Sequence, residues 1–201
     1  MSRTNIDNIK AVYQLATLVE RQDGVTWYPK ANQIAISLAD RHVISQFQAI
    51  GVIAALSPRN RWERNIQDAD ALIAAYNAGG PEQAMLTKVC TFTANKKKAI
   101  QILELSITCT FAGILNVLSG PKLREFASCI YGLPECCIDG HAYCIWQGER
   151  ATLADVPAIG VKLRREIKAD YATAADELGF TPSAVQAITW CAWRRIHGVT
   201  K

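Results

Sequence analysis

Leu118-Ser119-Gly120-Pro121-Lys122, followed after a short spacer by Cys137-Ile138-Asp139-Gly140-His141, decides the reading of this chain. Ile107 to Val117 is apolar enough for a buried helix, Leu118 and Gly120 shape a turn, and Pro121 suits the first turn of the next helix, where its missing N–H is no loss. The unpaired amides at that helix start and the positive end of its dipole favour a phosphate, and Lys122 and Arg124 add charge at the same spot. The spacing predicts a helical hairpin over 107–131 suited to gripping a phosphate backbone. The alternative is two packed helices joined by a tight turn, which is common in any all-α fold.

Upstream, Ile9, Val12, Leu15, Leu18 and Val19 recur at near-helical spacing and predict a helix over 6–21 that ends by Gly24. Trp27-Tyr28-Pro29 then reads as a turn and 29–40 as a second helix. Over 45–56, Phe47, Ile50, Val52, Ile53 and Leu56 make a third helix apolar nearly all round, which belongs at the centre of a core. Pro58 disfavours helix at Ser57, so Ser57-Pro58-Arg59-Asn60-Arg61 is a loop before a helix over 62–76. Gly79-Gly80-Pro81 is the next stop, 81–86 reads as a short helix, and 93–105 as another that carries Lys96-Lys97-Lys98. Beyond the hairpin, Asp155 to Gly160 form a connector and 161–178 and 182–196 are helical. No sustained period-two alternation marks a strand, and no internal repeat, low-complexity tract or linker interrupts the chain. The expected fold class is all-α, about ten short helices in a single unit over 1–201, any second lobe being formed by the two chain ends packing together.

At 201 residues and half hydrophobic, the chain is long enough to bury a sizeable core. Its net charge of +4 permits an anionic partner but falls short of a nucleic-acid coat protein. Seven cysteines, an odd number scattered from Cys90 to Cys191, do not make the framework of a small secreted domain, so reduced thiols in a cytoplasm are expected. The start, Met1-Ser2-Arg3-Thr4-Asn5-Ile6-Asp7, lacks an apolar signal core, and no stretch approaches a membrane span. These features predict a soluble, intracellular, cytoplasmic monomer with no membrane partner.

Asp139 follows a short extended stretch and precedes His141-Ala142-Tyr143-Cys144-Ile145-Trp146, which reads as the next helix. Aspartate is a favoured N-cap, worth about 1 kcal/mol. A structural role alone therefore accounts for Asp139, and a chemical role draws its support from the hairpin upstream.

The run from Leu118 to Trp146 resembles the signature of the helix-hairpin-helix DNA glycosylases, the HhH-GPD superfamily with its endonuclease-III-like fold, in which a Leu-x-Gly hairpin precedes a Val-Asp-x-His motif. Gly120, Ile138, Asp139 and His141 match that pattern. Ile50-Gly51-Val52-Ile53-Ala54-Ala55-Leu56-Ser57-Pro58 looks like the family's buried helix leading into a DNA-facing loop, and 62–76 like the helix after it, so the order of elements agrees over residues 45 to 150. The resemblance implies a two-lobed helical fold with a cleft between the lobes, one lobe from about 30–135 and the other from 1–29 with about 136–201. It also implies double-stranded DNA as partner, a nucleotide extruded from the stack and a protein side chain inserted in its place. Asp139 would be the catalytic carboxylate beside C1′, stabilising positive charge on the sugar and orienting or deprotonating water. The same oxygens can still cap the helix, so the two readings are compatible.

The chain also departs from the family. Lys122 stands where many members have a second hairpin glycine, and the lysine of lyase-competent members aligns best with Arg124, which forms no Schiff base. Base excision without strand cleavage is expected, although Lys122 is close enough in register to leave a catalytic role for it as a lyase nucleophile open. Where some relatives hold iron and sulfur with four C-terminal cysteines only Cys191 is available, so no iron–sulfur cluster or other cofactor is expected. The loop at 57–62 occupies the place of the stack-filling loop, making Arg59 or Asn60 the plug, with Arg61 as a further DNA contact, against the alternative of a solvated basic turn. Trp27, Tyr143 and His141 are the base-pocket candidates, core packing being the other reading of the aromatic pair. Cys136, Cys137, His141 and Cys144 fall within nine residues, but adjacent cysteines project poorly toward one ion and no metal site is expected. Lys96 to Lys98, Arg164-Arg165 and Arg194-Arg195 read as solvated faces, with phosphate contact as the secondary reading.

The expected function is that of a DNA glycosylase removing a damaged, mismatched or modified base. The alternatives are a glycosylase-like protein that binds DNA without cutting it, an enzyme of the same fold that modifies a pyrimidine in DNA, and a DNA-free helical scaffold.

Overall fold

A computed structural model of the chain describes residues 4–152 and 155–199, so Met1-Ser2-Arg3 of the polar start lie outside the described residues. Among the described residues there are ten helices and no strand: α1 Asn5–Leu15, α2 Leu18–His42, α3 Gln46–Leu56, α4 Trp62–Leu86, α5 Thr93–Glu104, α6 Phe111–Val117, α7 Pro121–Tyr131, α8 Gly140–Gln147, α9 Val161–Leu178 and α10 Pro182–Ile196. The chain divides into two compact units, one from Met1–Lys30 with Gly132–Lys201 and the other from Ala31–Tyr131. No helix among the described residues is long and apolar enough to cross a membrane.

The unit built from the chain ends packs α1, the first half of α2, α8, α9 and α10 around Ile9, Ile138, Ile145, Ile167, Tyr171, Val185 and Ile188, all fully buried. The helix predicted over 6–21 is two helices. The Thr17 hydroxyl accepts the Glu20 N–H at 3.2 Å while the Glu20 carboxylate accepts the Thr17 N–H at 2.8 Å, a capping box that starts α2 afresh and leaves Leu18 and Val19 exposed. α2 then passes through Gly24 and through Trp27-Tyr28-Pro29, the predicted stop and turn. Pro29 deprives the helix of one N–H, a local loss, while the Tyr28 hydroxyl donates to Gln186 Oε1 of α10 at 2.9 Å, both side chains being buried. At Gly24 the backbone of α10 comes so near that a Cβ would lie 2.5 Å from the Ile188 nitrogen. Contact with α10 therefore overrides the local breakers.

In the second unit α3 is the buried centre. Ser45 and Gln48 cap it reciprocally, and every residue from Ala49 to Leu56 is buried, each large apolar one contributing about 1.5–3 kcal/mol. Gln48 Nε2 donates to the carbonyls of Ile102, Leu103 and Leu105 at 3.3, 3.4 and 3.0 Å, satisfying the end of α5. A Cβ at Gly51 would sit 2.6 Å from Ile114 Cγ2, so the glycine lets α6 close on α3. Within α4, Gly79 and Gly80 leave helical geometry, Gly80 at φ +69°, and Pro81 restarts the helix at the predicted stop. The first hairpin helix begins at Phe111 rather than Ile107. Ser106 to Cys109 form a turn, closed by the Cys109 N–H on the Ser106 carbonyl at 2.8 Å, and Thr110 caps α6 through the Gly113 N–H. Lys96, read as solvated, instead donates to the carbonyls of Met85 and Thr87, and burial pushes its ammonium below the ordinary value.

Candidate functional site

Contacts along α3 place the hairpin turn. Phe47, at the start of α3, packs on Phe111 and Tyr131 with ring centroids 5.6 and 5.2 Å away, and Phe111 and Tyr131 are 4.6 Å apart. With Gly51 facing Ile114, α6 runs in the direction of α3 and α7 runs back, so the Leu118–Gly120 turn lies toward the C-terminal end of α3, where the Ser57–Arg61 loop begins. α5 opposes α3: its last residues meet Gln48, while Thr91, just before its start, donates to the Pro58 carbonyl at 3.0 Å. α4 departs from the same end, with Asn65 Nδ2 on the Ile53 carbonyl at 3.0 Å. Three helix starts, Trp62, Thr93 and Pro121, thus open at one end of this unit together with the exposed Arg59, Arg61, Lys122 and Arg124. Their dipoles and four cations favour an anion there. In the turn itself Leu118 is fully buried, Gly120 takes φ +92°, where a side chain would be strained, and Arg124 Nε donates to the Leu118 carbonyl at 2.8 Å.

The Ser57–Arg61 loop is pinned by a carboxylate. Asp68, buried on α4, accepts from Arg64 Nε at 2.7 Å, from Asn60 Nδ2 at 3.0 Å and from the Cys90 N–H at 2.7 Å, joining this loop to the one before α5. Asn60 Nδ2 also donates to the Leu56 carbonyl at 3.3 Å, so its amide serves the loop's interior. Of the two candidate plugs, Arg59 is the exposed one. It takes φ +57°, and its guanidinium lies over the ring of Phe92 at 4.9 Å, a side chain that is 49% exposed. Phe92 and Asp68 are not legible as site residues in the sequence, because both act through partners in another loop. Asp68→Ala removes the acceptor from two loop donors and is expected to lower stability by about 1–3 kcal/mol, read as a drop in urea midpoint at constant m-value. A change below about 0.5 kcal/mol, the level of an ordinary surface substitution, would show that the loops do not depend on it.

The second set of candidates lies in the other unit. Cys136, Cys137 and Ile138 are buried without regular secondary structure, and half-buried Asp139 follows as N-cap of α8, its Oδ1 accepting the Ala142 N–H at 2.9 Å. The cap engages one carboxylate oxygen of two. His141, half-buried, stands in the first turn of α8. Burial holds the imidazole of His197, whose ring is tilted against Trp193 with centroids 4.0 Å apart, below its ordinary value, with Arg150 and then His141 adding to the effect. Burial likewise pushes the Tyr171 hydroxyl well above the ordinary value, with Cys136 and Asp139 contributing. Tyr143 is half-buried against the unit's core with its ring 6.0 Å from Trp146. Trp27 is half-buried on α2 with its ring edge-on to Tyr28 at 4.8 Å. Arg59, Arg61, Gly120, Lys122 and Arg124 thus gather at one end of one unit, while Asp139, His141 and Tyr143 share the start of α8 in the other.

A family model matches residues 1–197, a span that reaches into both units and covers every candidate above. The chain belongs to DUF7178, a family of unknown function. No curated protein and no solved structure matches the sequence. In this DUF7178 protein the seven cysteines are thiols, four of them buried, and among the described residues no group of three or more His, Cys, Asp or Glu side chains is arranged to hold a metal ion.

Proposed function

We propose that this DUF7178 chain is a DNA glycosylase with the helix-hairpin-helix glycosylase fold, extruding a base from duplex DNA and hydrolysing its N-glycosidic bond without cutting the strand. The observation that carries the reading is the half-buried Asp139 carboxylate at the start of α8, with one oxygen on the Ala142 amide. As the bond from C1′ to the base nitrogen breaks, the base leaves with the bonding pair and takes up a proton from solvent, matched by the one that the attacking water gives up through the carboxylate. The carboxylate stabilises the cationic sugar and accepts a proton from the water whose oxygen bonds to C1′. The hairpin turn and the helix starts beside it bind phosphates, and Arg59 with Phe92 fills the gap in the base stack. Arg124, which aligns with the lysine of lyase-competent helix-hairpin-helix glycosylases, favours hydrolysis over Schiff-base chemistry.

The test is incubation of the full chain with genomic DNA and with duplexes carrying a panel of modified bases, followed by mass spectrometry of what is released. A free base with a matching abasic site, and no strand break before alkali, is expected. Bound DNA that is unchanged would overturn the proposal in favour of a binding protein, and a nucleoside of altered mass without an abasic site would overturn it in favour of base modification. The double variant Lys122→Ala/Arg124→Ala is expected to weaken binding at every sequence and to reduce the slope of log affinity against log salt by about 0.9 for each phosphate that the two side chains neutralise. An unchanged slope in a titration by fluorescence anisotropy would show that the hairpin does not touch DNA.

A further inference from the structure

α9 meets the segment that carries Asp139 along one stripe of side chains. Arg164, Lys168 and Tyr171 recur at i, i+4 and i+7, the spacing of a single helix face. Arg164 Nη1 donates to the Ile138 carbonyl at 2.8 Å. Lys168 Nζ lies 2.7 Å from Glu135 Oε1, the oxygen that also accepts the Cys136 N–H at 2.8 Å. The Tyr171 hydroxyl donates to the Ala142 carbonyl at 3.5 Å. One helix thus holds the chain at 135, 138 and 142, on both sides of Asp139. Arg164, read from sequence as a solvated cation, is half-buried, and its bond is the nearest of the three to Asp139 along the chain. Ile138 is fully buried, so a displaced carbonyl moves the adjoining Asp139 main chain and is not taken up by solvent.

We propose that Arg164 is a positioning residue for the Asp139 carboxylate, holding the main chain immediately before it and touching no substrate. The proposal rests on the reading of Asp139 as the reactive carboxylate. The guanidinium is a rigid planar donor, which suits it to fixing a carbonyl's direction. Catalytic geometry is intolerant of drift, a misplacement of about 1 Å costing on the order of 10²-fold in rate.

The experiment takes Arg164→Met, Arg164→Lys and Lys168→Met in the full chain, with two readouts. Amide exchange of Ala142, whose N–H bonds to Asp139 Oδ1, reports the position of the carboxylate whether or not the protein has activity. Single-turnover abasic-site formation and DNA affinity, measured separately, report the chemistry. Arg164→Met is expected to raise Ala142 exchange at least about tenfold and to slow abasic-site formation by about 10- to 100-fold at unchanged affinity. Arg164→Lys, which keeps a cation and a donor, is expected to restore part of both and supplies the same comparison if the methionine variant does not fold. Lys168→Met, which leaves the bond next to Asp139 in place, is expected to keep Ala142 exchange near that of the parent. Unchanged Ala142 exchange in both Arg164 variants overturns the proposal, as does raised exchange with an undiminished rate. Raised exchange in a protein whose parent makes no abasic site leaves the positioning intact and defeats the glycosylase reading alone.

Discussion

Asp139→Asn is expected to abolish most abasic-site formation, a fall on the order of 10²–10³-fold or more, while the protein keeps its fold and its affinity for duplex DNA. The substitution separates the two roles of one side chain. As an N-cap, asparagine ranks with aspartate, and its amide oxygen is available to accept the Ala142 N–H that Oδ1 accepts at 2.9 Å. The helix start loses only the favourable interaction of a negative charge with its dipole, about 0.3–1 kcal/mol. A neutral amide, by contrast, neither stabilises a cationic sugar nor accepts the proton of the attacking water. Asp139→Ala removes the cap as well, and is expected to cost a further ~1 kcal/mol of stability with a similarly slow rate. A parent-like rate in Asp139→Asn, measured at saturating enzyme so that affinity does not enter, would leave Asp139 as a helix cap and nothing more.

Some of this architecture is legible residue by residue, and the exceptions share a cause. α9 and α10 begin and end where apolar spacing and Pro182 predict, and their caps are local, Gly160 and Gly179 bounding α9 and the Thr181 hydroxyl accepting the Ala184 N–H at the start of α10. α3 is recognisable as the buried centre from apolar density alone, and the Gly79-Gly80-Pro81 break from turn chemistry. The α1–α2 region is different. Thr17 and Glu20 form a capping box inside an otherwise periodic apolar run, and Gly24 and Pro29 look like breakers until α10 is placed against them. The candidate site divides in the same way. Gly120, Lys122 and Arg124 follow from the hairpin's own sequence, and Asp139 from capping rules. Asp68, Phe92 and Arg164 have no local signature, since each acquires its role from a partner in another segment of the chain: Cys90 for Asp68, Arg59 for Phe92 and Ile138 for Arg164.

Gly24→Ala is expected to destabilise the protein even though helix propensity argues the opposite. Gly24 lies inside α2, where alanine is the better helix former by about 0.8–1.0 kcal/mol. The space at that position decides against it. A Cβ on residue 24 would lie 2.5 Å from the Ile188 nitrogen and 2.6 Å from its Cα, so relief requires moving the backbone of α10, and no rotamer change suffices. Ile188 is fully buried within the core of that unit, and the neighbouring bond from Tyr28 to Gln186 at 2.9 Å ties the same two helices together. Overpacking of this kind costs about 1–3 kcal/mol and occasionally more, so it outweighs propensity. At this chain length each kcal/mol corresponds to a fall in Tm of about 2–4 °C. Gly24→Val, with two more methyl groups against the same backbone, is expected to lie at the top of that range or beyond it. Gly113→Ala in α6 supplies the control, since the nearest atom to its new Cβ is Thr110 Oγ1 at 3.8 Å, and it is expected to be neutral or mildly stabilising. If Gly24→Ala raised Tm as propensity alone requires, α2 and α10 would not approach at Gly24, and the helix would instead break there, as its local sequence suggests.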